Sequence, residues 1–302
     1  MATIAWIGLG NMGRPMTKNL VAAGHTVKGF DLVPEAVAAA AADGVTPAVS
    51  AADALAGADI AFTMLPKGEH CRAAYFGDDG IFALASQDTL LADSSTIDVA
   101  TAKDLHQAAR EHGFRFIDSP VSGGVTGAAA ATLTFMLGGT DADVAEARPI
   151  IDVMAGNVFH AGGDGAGQAA KIVNNMQLAI SMQGVVEGAV LAQRLGLDPK
   201  TFFDIAKVSS GDSWPLRTWY PVPGVSPTAA SNNGFEPGFS TMLMHKDVGL
   251  ALAGAQEAGI DLPAATLVHE NLSKLIEEGL GNKDTTILIK QIDPNAEGLP
   301  QD

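Results

Sequence analysis

The chain has 302 residues, which is long enough for two domains or for one large α/β domain with an appendage. Hydrophobic residues make up 47% of it and charged residues 17%, a balance that supplies sizeable cores and excludes a disordered chain. The formal net charge of −16 argues against nucleic acid or an anionic membrane surface as a partner, although the acidity can equally serve only to keep the protein in solution.

The first half of the chain alternates short apolar runs with helical patterns. The predicted strands are Thr3–Leu9, Thr26–Asp31, Ile60–Leu65, Leu90–Ser94, Phe114–Ile117 and Thr132–Leu137. The helices predicted between them include Met12–Ala23, one that opens at Pro34, and Val99–His112. Alternation of this kind predicts an α/β domain over residues 1–164, with a mostly parallel sheet covered on both faces.

The second half, residues 165–302, reads as an all-α domain for substrate binding and oligomerisation. A long helix is predicted over Gln168–Leu195, and further helices over Pro199–Val208, Lys246–Ala258, Ala264–Glu278 and Thr285–Gln291. A helix as long as the first of these normally crosses a domain or connects two domains. Small residues recur along it and suit close helix packing, which favours a homodimer or homotetramer.

The segment Gly8-Leu9-Gly10-Asn11-Met12-Gly13 follows a predicted strand and opens a predicted helix. This is the context in which a GxGxxG pattern binds a dinucleotide. Gly8 allows the sharp turn, Gly10 lets the pyrophosphate approach the backbone, and Gly13 lets the helix pack on the sheet. The free N–H groups of the helix start then face the phosphate charge. The pattern predicts a Rossmann-type cofactor domain.

Asp31 lies at the end of the second predicted strand, 18 residues beyond Gly13. A carboxylate there can hold both hydroxyls of the adenosine ribose, and the segment Asp31-Leu32-Val33 contains no arginine for a 2′-phosphate. The cofactor is therefore predicted to be NAD rather than NADP. The alternative is that Asp31 only caps a turn.

Two further segments follow predicted strands and should line the cofactor crevice, because strand carboxyl ends face the ligand in an open α/β sheet. Leu65-Pro66 ends one strand, and Ser95-Thr96 follows the next. Thr96 and His70 could hydrogen-bond the cofactor. His70 could also be an ordinary solvated helix residue.

Ser122-Gly123-Gly124 supplies one hydroxyl and two backbone N–H groups that carry no side chain. Such a concavity of N–H groups can bind a substrate carboxylate, although a flexible turn explains the same residues. Lys171 and Asn175 are four residues apart and so share one face of the long helix. A lysine on a mostly apolar helix is costly unless it is paired or functional, or unless its ammonium reaches solvent. Beside a nicotinamide, it could relay the proton that accompanies hydride transfer.

A last polar pair, Lys246-Asp247, is predicted at a helix start, where it could be an ordinary surface pair.

Together, the glycine turn, the segment from Asp118 to Gly124, the stretch from Gly165 to Asn175 and the pair Lys246-Asp247 resemble the β-hydroxyacid dehydrogenase family. Ser209-Ser210-Gly211 with Trp214 and the segment from Tyr220 to Val225 with Asn232-Asn233 resemble its 3-hydroxyisobutyrate branch. The likeness covers nearly the whole chain.

The resemblance implies a role for each matching residue. Lys171 matches the catalytic lysine. Ser122, Gly123 and Gly124 match the substrate carboxylate site, and Asn175 matches an asparagine that orients the substrate. Lys246 matches a lysine that approaches the cofactor, with Asp247 beside it on the substrate side. The matching cofactor contacts are Gly8, Leu9, Gly10, Asn11, Met12, Gly13, Asp31, Leu65, Pro66, His70 and Thr96.

The implied reaction is the reversible oxidation of 3-hydroxyisobutyrate to methylmalonate semialdehyde, a step of valine breakdown. L-Serine dehydrogenation and tartronate semialdehyde reduction share these motifs, so the motifs leave all three open. The loop from Asp212 to Arg217 carries an acid, a proline and a base that are not associated with the branch. A non-catalytic NAD-binding module is a further alternative, but such a module would be expected to lack the lysine.

The remaining expectations concern location and metals. Cys71 is the only cysteine, so no intrachain disulfide can form. The N-terminus enters a strand pattern directly, and apolar runs are too short for a membrane helix. We therefore expect a cytoplasmic protein. The seven histidines are scattered without ligand spacing, so no metal is predicted.

Overall fold

The structure is a computed structural model that describes residues 1–296 and 298–299. The chain forms two compact units, one over Met1–Lys171 and one from Ile172 onward. The domain boundary predicted between residues 164 and 165 stays a prediction. Glu297 and residues 300–302 of the predicted second domain lie outside the described residues.

Unit 1 is built on one sheet. Its strands are β1 (Thr3–Ile7), β2 (Thr26–Phe30), β3 (Thr46–Pro47), β4 (Ile60–Thr63), β5 (Leu90–Asp93), β6 (Arg115–Asp118), β7 (Val121–Ser122), β8 (Leu133–Gly138) and β9 (Ala155–Gly162). Their order is β3-β2-β1-β4-β5-β6-β8-β7, and β9 pairs with β8. The six strands β1 to β6 pair with one another in parallel. Strand β8 is antiparallel to β6 and β7 and parallel to β9. The predicted mostly parallel sheet is confirmed.

Helices cover both faces of this sheet. They are α1 (Gly13–Ala22), α2 (Pro34–Ala42), α3 (Ala51–Leu55), α4 (Gly68–Tyr75), α5 (Ile81–Leu84), α6 (Val99–Glu111), α7 (Gly124–Ala129) and α8 (Asp141–Ile151). Successive residues of a strand point to opposite faces. Accordingly, Ile4 and Trp6 belong to one buried apolar cluster, and Ala5 and Ile7 belong to another. Apolar burial on two faces fixes the strands. Because β1 to β6 are parallel, their carboxyl ends lie at one edge of the sheet.

Unit 2 is helical. The long helix α9 (Ala166–Arg194) begins in unit 1 and continues into unit 2, where α10 (Pro199–Ala206), α11 (Trp214–Thr218), α12 (Thr241–Glu257), α13 (Pro263–Glu277) and α14 (Ile289–Ile292) follow. Single 3₁₀ turns occupy Ala230–Asn233 and Thr285–Leu288. One apolar cluster forms its core and includes Val186, Tyr220 and Leu272. The predicted all-α second half is confirmed.

Several element ends differ from the prediction for local reasons. The first strand ends at Ile7 rather than Leu9, because Gly8 has a φ of +99°. Helix α12 begins at Thr241 rather than Lys246, since the Ser240 hydroxyl accepts a hydrogen bond from the Leu243 N–H and caps the helix there. Lys246 and Asp247 therefore lie inside a helix, and the prediction of a helix start was wrong.

Two further elements depart from the predicted pattern. The predicted helix Thr285–Gln291 begins as a 3₁₀ turn, because the Asp284 carboxylate accepts from the Thr286 N–H two residues on. Strand β9 was not predicted, since most of its side chains are exposed and it lacks an alternating apolar pattern. Within residues 1–296 and 298–299, no helix combines the length and the apolar character needed to span a bilayer.

Candidate active site

The glycine turn joins β1 to α1, and its three glycines differ in the space around them. A Cβ atom at Gly8 would lie 2.3 Å from the Met64 carbonyl oxygen, and one at Gly13 would lie 2.0 Å from the Gly8 carbonyl oxygen. Both positions are therefore closed to any side chain by the protein itself. A Cβ atom at Gly10 would meet no protein atom within 4 Å. This is the open approach that a pyrophosphate needs, so the turn fits a dinucleotide.

Asp31 follows β2 and is held against the glycine turn. Its Oδ2 accepts a hydrogen bond of 2.7 Å from the Leu9 N–H, and its Oδ1 accepts one of 2.8 Å from the Val33 N–H. The carboxylate thus caps a turn, as the alternative interpretation held, and it also lies beside the loop that fits the pyrophosphate. Each oxygen has a second lone pair that can accept from a ribose hydroxyl.

A buried polar cluster lies where β4 and β5 end. Asp93 Oδ1 accepts hydrogen bonds of 2.6 Å from both the Thr63 and the Ser95 hydroxyls. The Ser95 hydroxyl in turn accepts from the Leu65 N–H at 2.8 Å. Burial raises the pKa of Asp93 above its ordinary value of 3.8, and the hydroxyl donors only partly offset that effect. The cluster holds the Leu65 N–H and the backbone directly before Thr96.

Because the pKa of Asp93 is raised, its contribution to the free energy of unfolding should fall as pH rises. Folded Asp93 keeps its proton to higher pH than the unfolded chain does, so its contribution is complete below pH 3.8 and falls as pH rises through the folded pKa. Asparagine has no such titration. We expect Asp93→Asn to gain free energy of unfolding relative to wild type between pH 4.5 and pH 7, measured by urea denaturation. The control is Asp79→Asn, at an exposed aspartate. The expectation is contradicted if the difference in free energy of unfolding between Asp93→Asn and wild type is the same at both pH values.

Asp118, the last residue of β6, anchors the start of α9. Its Oδ1 accepts from the Gly165 N–H at 3.0 Å, and its Oδ2 accepts from the Gln168 N–H at 2.8 Å. His106 Nε2 lies 2.7 Å from the same Oδ1. A Cβ atom at Gly167 would lie 2.8 Å from Asp118 Oδ2 and 2.3 Å from the Met136 carbonyl oxygen, so only glycine fits this first turn. A buried carboxylate therefore accepts from one N–H group just before the helix and one in its first turn, which sets the position of the helix start.

Ser122, Gly123 and Gly124 follow directly from this anchor. Ser122 ends β7, where it pairs with Thr134 of β8, and Gly124 begins α7. Gly123 and Gly124 have φ values of +133° and +63°, and a Cβ atom at Gly124 would meet nothing within 4 Å. Both glycines are exposed. These two glycines therefore lie at the surface, and the binding of a substrate carboxylate by their N–H groups stays a prediction.

Lys171 and Asn175 lie one turn apart on α9, and both are buried: 7% of Lys171 is exposed and 2% of Asn175. Lys171 is the last residue of unit 1. Lys171 is therefore largely enclosed, and its catalytic role stays a prediction.

In unit 2, Asn175 is hydrogen-bonded to Asp247 of α12, which also pairs with Lys246. Its Nδ2 donates to Asp247 Oδ2 at 2.5 Å, and Lys246 Nζ lies 3.2 Å from Asp247 Oδ1. Asp247 is buried on the second turn of its helix. The pair is thus not an ordinary surface pair, because its acid is enclosed and hydrogen-bonded to another predicted site residue.

The loop between Ser209 and Ser213 lines a cavity of about 510 Å³ in unit 2, together with residues of α9 and α10. Arg217 Nη1 lies 3.1 Å from Asp212 Oδ2, so the acid and the base of this loop pair with each other.

The other predicted contacts occupy the edge of the sheet at which the strands end. Leu65 and Thr96 are half-buried, whereas Pro66 and the α4 residue His70 are exposed. Sequence reasoning missed three buried groups that organise the edge: Asp93, Asp118 and Gln168. Asp118 and Gln168 stand within motifs that were recognised, but their partners are 47 to 73 residues away along the chain. Among the described residues, no group of three or more His, Cys, Asp or Glu is placed to hold a metal.

Two family models match the chain in succession. The model described as the NAD binding domain of 6-phosphogluconate dehydrogenase matches residues 3–163. The model described as the NAD-binding of NADP-dependent 3-hydroxyisobutyrate dehydrogenase matches residues 165–292. A Mycobacterium tuberculosis protein named "Probable 3-hydroxyisobutyrate dehydrogenase" is 50% identical over 263 residues, which are 87% of this chain and 88% of that protein. The chain belongs to the 3-hydroxyisobutyrate dehydrogenase family.

A further relative and a solved structure cover almost the full length. A Pseudomonas aeruginosa protein named NAD-dependent L-serine dehydrogenase is 43% identical over 97% of this chain and 99% of its own. A solved structure of Mycobacterium tuberculosis 3-hydroxyisobutyrate dehydrogenase with L-serine has a TM-score of 0.91 and 46% identity, covering 97% of this chain and 99% of that chain. The resemblance inferred from the motifs is confirmed, and the protein is an NAD-dependent dehydrogenase of the 3-hydroxyisobutyrate type. The alternative of a non-catalytic module is thereby set aside.

Proposed function

We propose that this protein oxidises 3-hydroxyisobutyrate to methylmalonate semialdehyde in valine breakdown, with Lys171 as its catalytic residue. The observation that carries the proposal is the enclosed Lys171 on α9, within the motif that runs from Gly165 to Asn175. Family membership at up to 50% identity supports the same reaction class.

The residues divide the chemistry between them. When bound, NAD accepts the hydride that leaves the carbinol carbon. The Lys171 amine, in its neutral form, takes the proton of the substrate hydroxyl, and the product carbonyl forms as that O–H bond breaks. Ser122 and the N–H groups of Gly123 and Gly124 hold the substrate carboxylate. Their hydrogen bonds orient the acid without placing a further cation beside the lysine.

Asn175 is proposed to orient the substrate. Its Nδ2 donates one hydrogen to Asp247, which fixes the amide plane, and the second hydrogen of that nitrogen is the one proposed to reach the substrate. Asp247 supports the amide and contributes to the substrate side, whereas Lys246 approaches the cofactor.

The proposed cofactor contacts are the six residues of the glycine turn with Asp31, Leu65, Pro66, His70, Thr96 and Lys246. We also propose that the cofactor domain ends near residue 164.

L-Serine is the second candidate substrate. A relative named for its oxidation is 43% identical, and a family structure at 46% identity is described with L-serine. Serine and 3-hydroxyisobutyrate both carry a primary hydroxyl one carbon beyond the α-carbon of a carboxylate. They differ at that α-carbon, which carries an ammonium in serine and a methyl group in 3-hydroxyisobutyrate. The part of the site that faces this group should therefore be polar for serine and apolar for 3-hydroxyisobutyrate.

The test is the appearance of NADH absorbance at 340 nm with purified protein, NAD and each substrate in turn: (S)- and (R)-3-hydroxyisobutyrate, L-serine and glycerate. We expect the highest kcat/KM with one enantiomer of 3-hydroxyisobutyrate. A higher value with L-serine would replace the proposed substrate by the second candidate. No NADH formation above a Lys171→Ala control with any of these acids would refute both.

Asp31 should determine the preference for NAD. Asp31→Ser removes the charged acceptor proposed to hold the ribose hydroxyls, and hydrogen bonds to charged groups contribute roughly 1.5–3 kcal/mol. We expect the Kd for NAD to rise about 10–100-fold, and the Kd for NADP to rise less or fall, because the carboxylate repels a 2′-phosphate. The measurement is fluorescence titration with both cofactors. Glu35→Ser, which removes a nearby acid on α2, is the matched control, and an NAD affinity within threefold of wild type would exclude the role.

We further propose that the protein is cytoplasmic and assembles as a homodimer or homotetramer through unit 2. Large apolar side chains are exposed there: Leu191 and Leu195 are 59% and 71% exposed, and Ile205 and Val208 are 53% and 79% exposed. Apolar exposure of this extent favours a protein interface. Light scattering tests the assembly, and a mass of 30.9 kDa, that of one chain, would contradict it.

A further inference from the structure

The side chain of Gln168 bridges two parts of the proposed cofactor and catalytic machinery of unit 1. Gln168 is fully buried on the first turn of α9. Its Nε2 donates to the Ser95 carbonyl oxygen at 2.7 Å, and its Oε1 accepts from the Ile97 N–H at 3.2 Å. These two backbone groups flank Thr96, so one amide holds the loop on both sides of that residue.

The same glutamine is fixed through its backbone. The Gln168 N–H donates to Asp118 Oδ2 at 2.8 Å, which ties the first turn of α9 to the end of β6. Lys171 lies three residues further on, a rise of about 4.5 Å along the helix axis. The position of Lys171 therefore depends on the turn that contains Gln168.

The loop that contains Thr96 is also hydrogen-bonded to Leu65, a second proposed cofactor contact. The Ser95 hydroxyl accepts from the Leu65 N–H and donates to Asp93, so the loops after β4 and β5 form one hydrogen-bonded unit. Leu65 and Thr96 are both proposed cofactor contacts. Gln168 is the side chain that joins this unit to the helix of Lys171 through both ends of its amide.

We propose that Gln168 is a positioning residue that holds the Thr96 loop in a fixed relation to Lys171, so that the bound cofactor and the proton acceptor are aligned together. The inference rests on the proposed role of Lys171. An error of about 1 Å in such an alignment can lower a rate about 100-fold, even where each partner still binds. An apolar side chain of equal length would fill the same volume, but it would leave a buried carbonyl and a buried N–H without their partner and so release the loop.

Three variants test the proposal. Gln168→Met keeps the length and removes both hydrogen bonds. Gln168→Glu keeps the shape, and its protonated form can donate to the Ser95 carbonyl and accept from the Ile97 N–H, whereas its ionised form can only accept. Gln183→Met is the matched control, because Gln183 is also buried on α9, donates to Glu187 and accepts from Asn271.

The readouts are kcat, KM, the Kd for NAD and, without cofactor, hydrogen exchange of the Ile97 amide. For Gln168→Met we expect kcat to fall at least tenfold, the Kd for NAD to rise less than fivefold, and Ile97 exchange to accelerate at least tenfold. Gln168→Glu should approach wild-type kcat as pH falls, when compared with wild type at each pH. Gln183→Met should change none of these quantities more than twofold.

The proposal is overturned if Gln168→Met keeps kcat within threefold of Gln183→Met, or if Ile97 exchange stays as slow as in wild type. If Gln168→Met does not fold, the deciding quantity is the kcat of Gln168→Glu divided by the wild-type kcat at the same pH. A ratio that is independent of pH overturns the proposal. If wild type and Lys171→Ala turn over equally, it is the proposed function that fails. In that case, Ile97 exchange still reports whether Gln168 holds the loop.

Discussion

Lys171→Ala is expected to lower kcat about 10²–10⁴-fold, which corresponds to roughly 3–5 kcal/mol of transition-state stabilisation. The physical reason is that the variant leaves the hydroxyl proton of the substrate without an acceptor as hydride departs. The Kd for NAD should stay within threefold of wild type, because the proposed cofactor contacts lie elsewhere. Steady-state kinetics and a fluorescence titration of NAD measure the two effects separately.

Lys171→Arg separates proton transfer from simple charge. Arginine keeps a positive charge at this position but cannot give up its proton within the accessible pH range, so it cannot act as the acceptor. We expect it to be nearly as inactive as the alanine variant. If Lys171→Arg retained more than a tenth of wild-type kcat, the residue would act as an electrostatic stabiliser. If Lys171→Ala lost less than tenfold, the catalytic assignment would be withdrawn.

A methyl group added to the glycine turn should have opposite consequences at its two ends. At Gly10 the new Cβ atom meets no protein atom within 4 Å, so Gly10→Ala should fold with a Tm near that of wild type. The methyl group occupies the space proposed for the pyrophosphate, and the Kd for NAD should rise at least tenfold, or about 1.4 kcal/mol. Calorimetry and titration of NAD measure the two quantities.

At Gly13 the new Cβ atom would lie 2.0 Å from the Gly8 carbonyl oxygen and 2.8 Å from Trp6 Nε1. These two atoms are joined by a hydrogen bond of 2.9 Å, so the methyl group must displace either the turn or the buried indole. Gly13→Ala should therefore lose both stability, by about 1–3 kcal/mol, and NAD binding. Equal loss of Tm in the two variants would show that Gly10 is constrained by packing and not by a ligand.

Features that depend on neighbours along the chain were predictable, whereas contacts between distant segments were not. The strand, turn and helix around the glycine pattern were predictable, because the pattern is a run of neighbours along the chain and Gly13 contacts Gly8 and Trp6 of the same segment. The contact of Gly8 with the Met64 carbonyl oxygen, which follows β4, could not be read from that segment. The spacing of Lys171 and Asn175 was readable, since the period of a helix fixes which side chains share a face. The start of α12 at Thr241 was missed, although Ser240 is a residue of the type that caps helices.

The groups that hold the candidate site together could not be read in this way. Asp93 and Asp118 look alike in the sequence, each as an acid at the end of an apolar strand. In the fold, one carboxylate accepts from the hydroxyls of Thr63 and Ser95, and the other accepts from the Gly165 N–H, 47 residues later, just before α9 begins. Which neighbour a strand end meets depends on the order of strands in the sheet, and that order is not written in any single segment.

The sequence by itself determined the GxGxxG turn from Gly8 to Gly13, the acid at its rim and a lysine on a long helix, because each is a pattern of neighbours along the chain. Only the tertiary structure decided that Gln168 joins the Thr96 loop to the helix of Lys171, a link across more than 70 residues. Such a link forms because burial of the sheet on two faces brings the ends of β5 and β6 to the start of α9. Its hydrogen bonds become specific once water is excluded and every buried N–H and carbonyl group needs a partner.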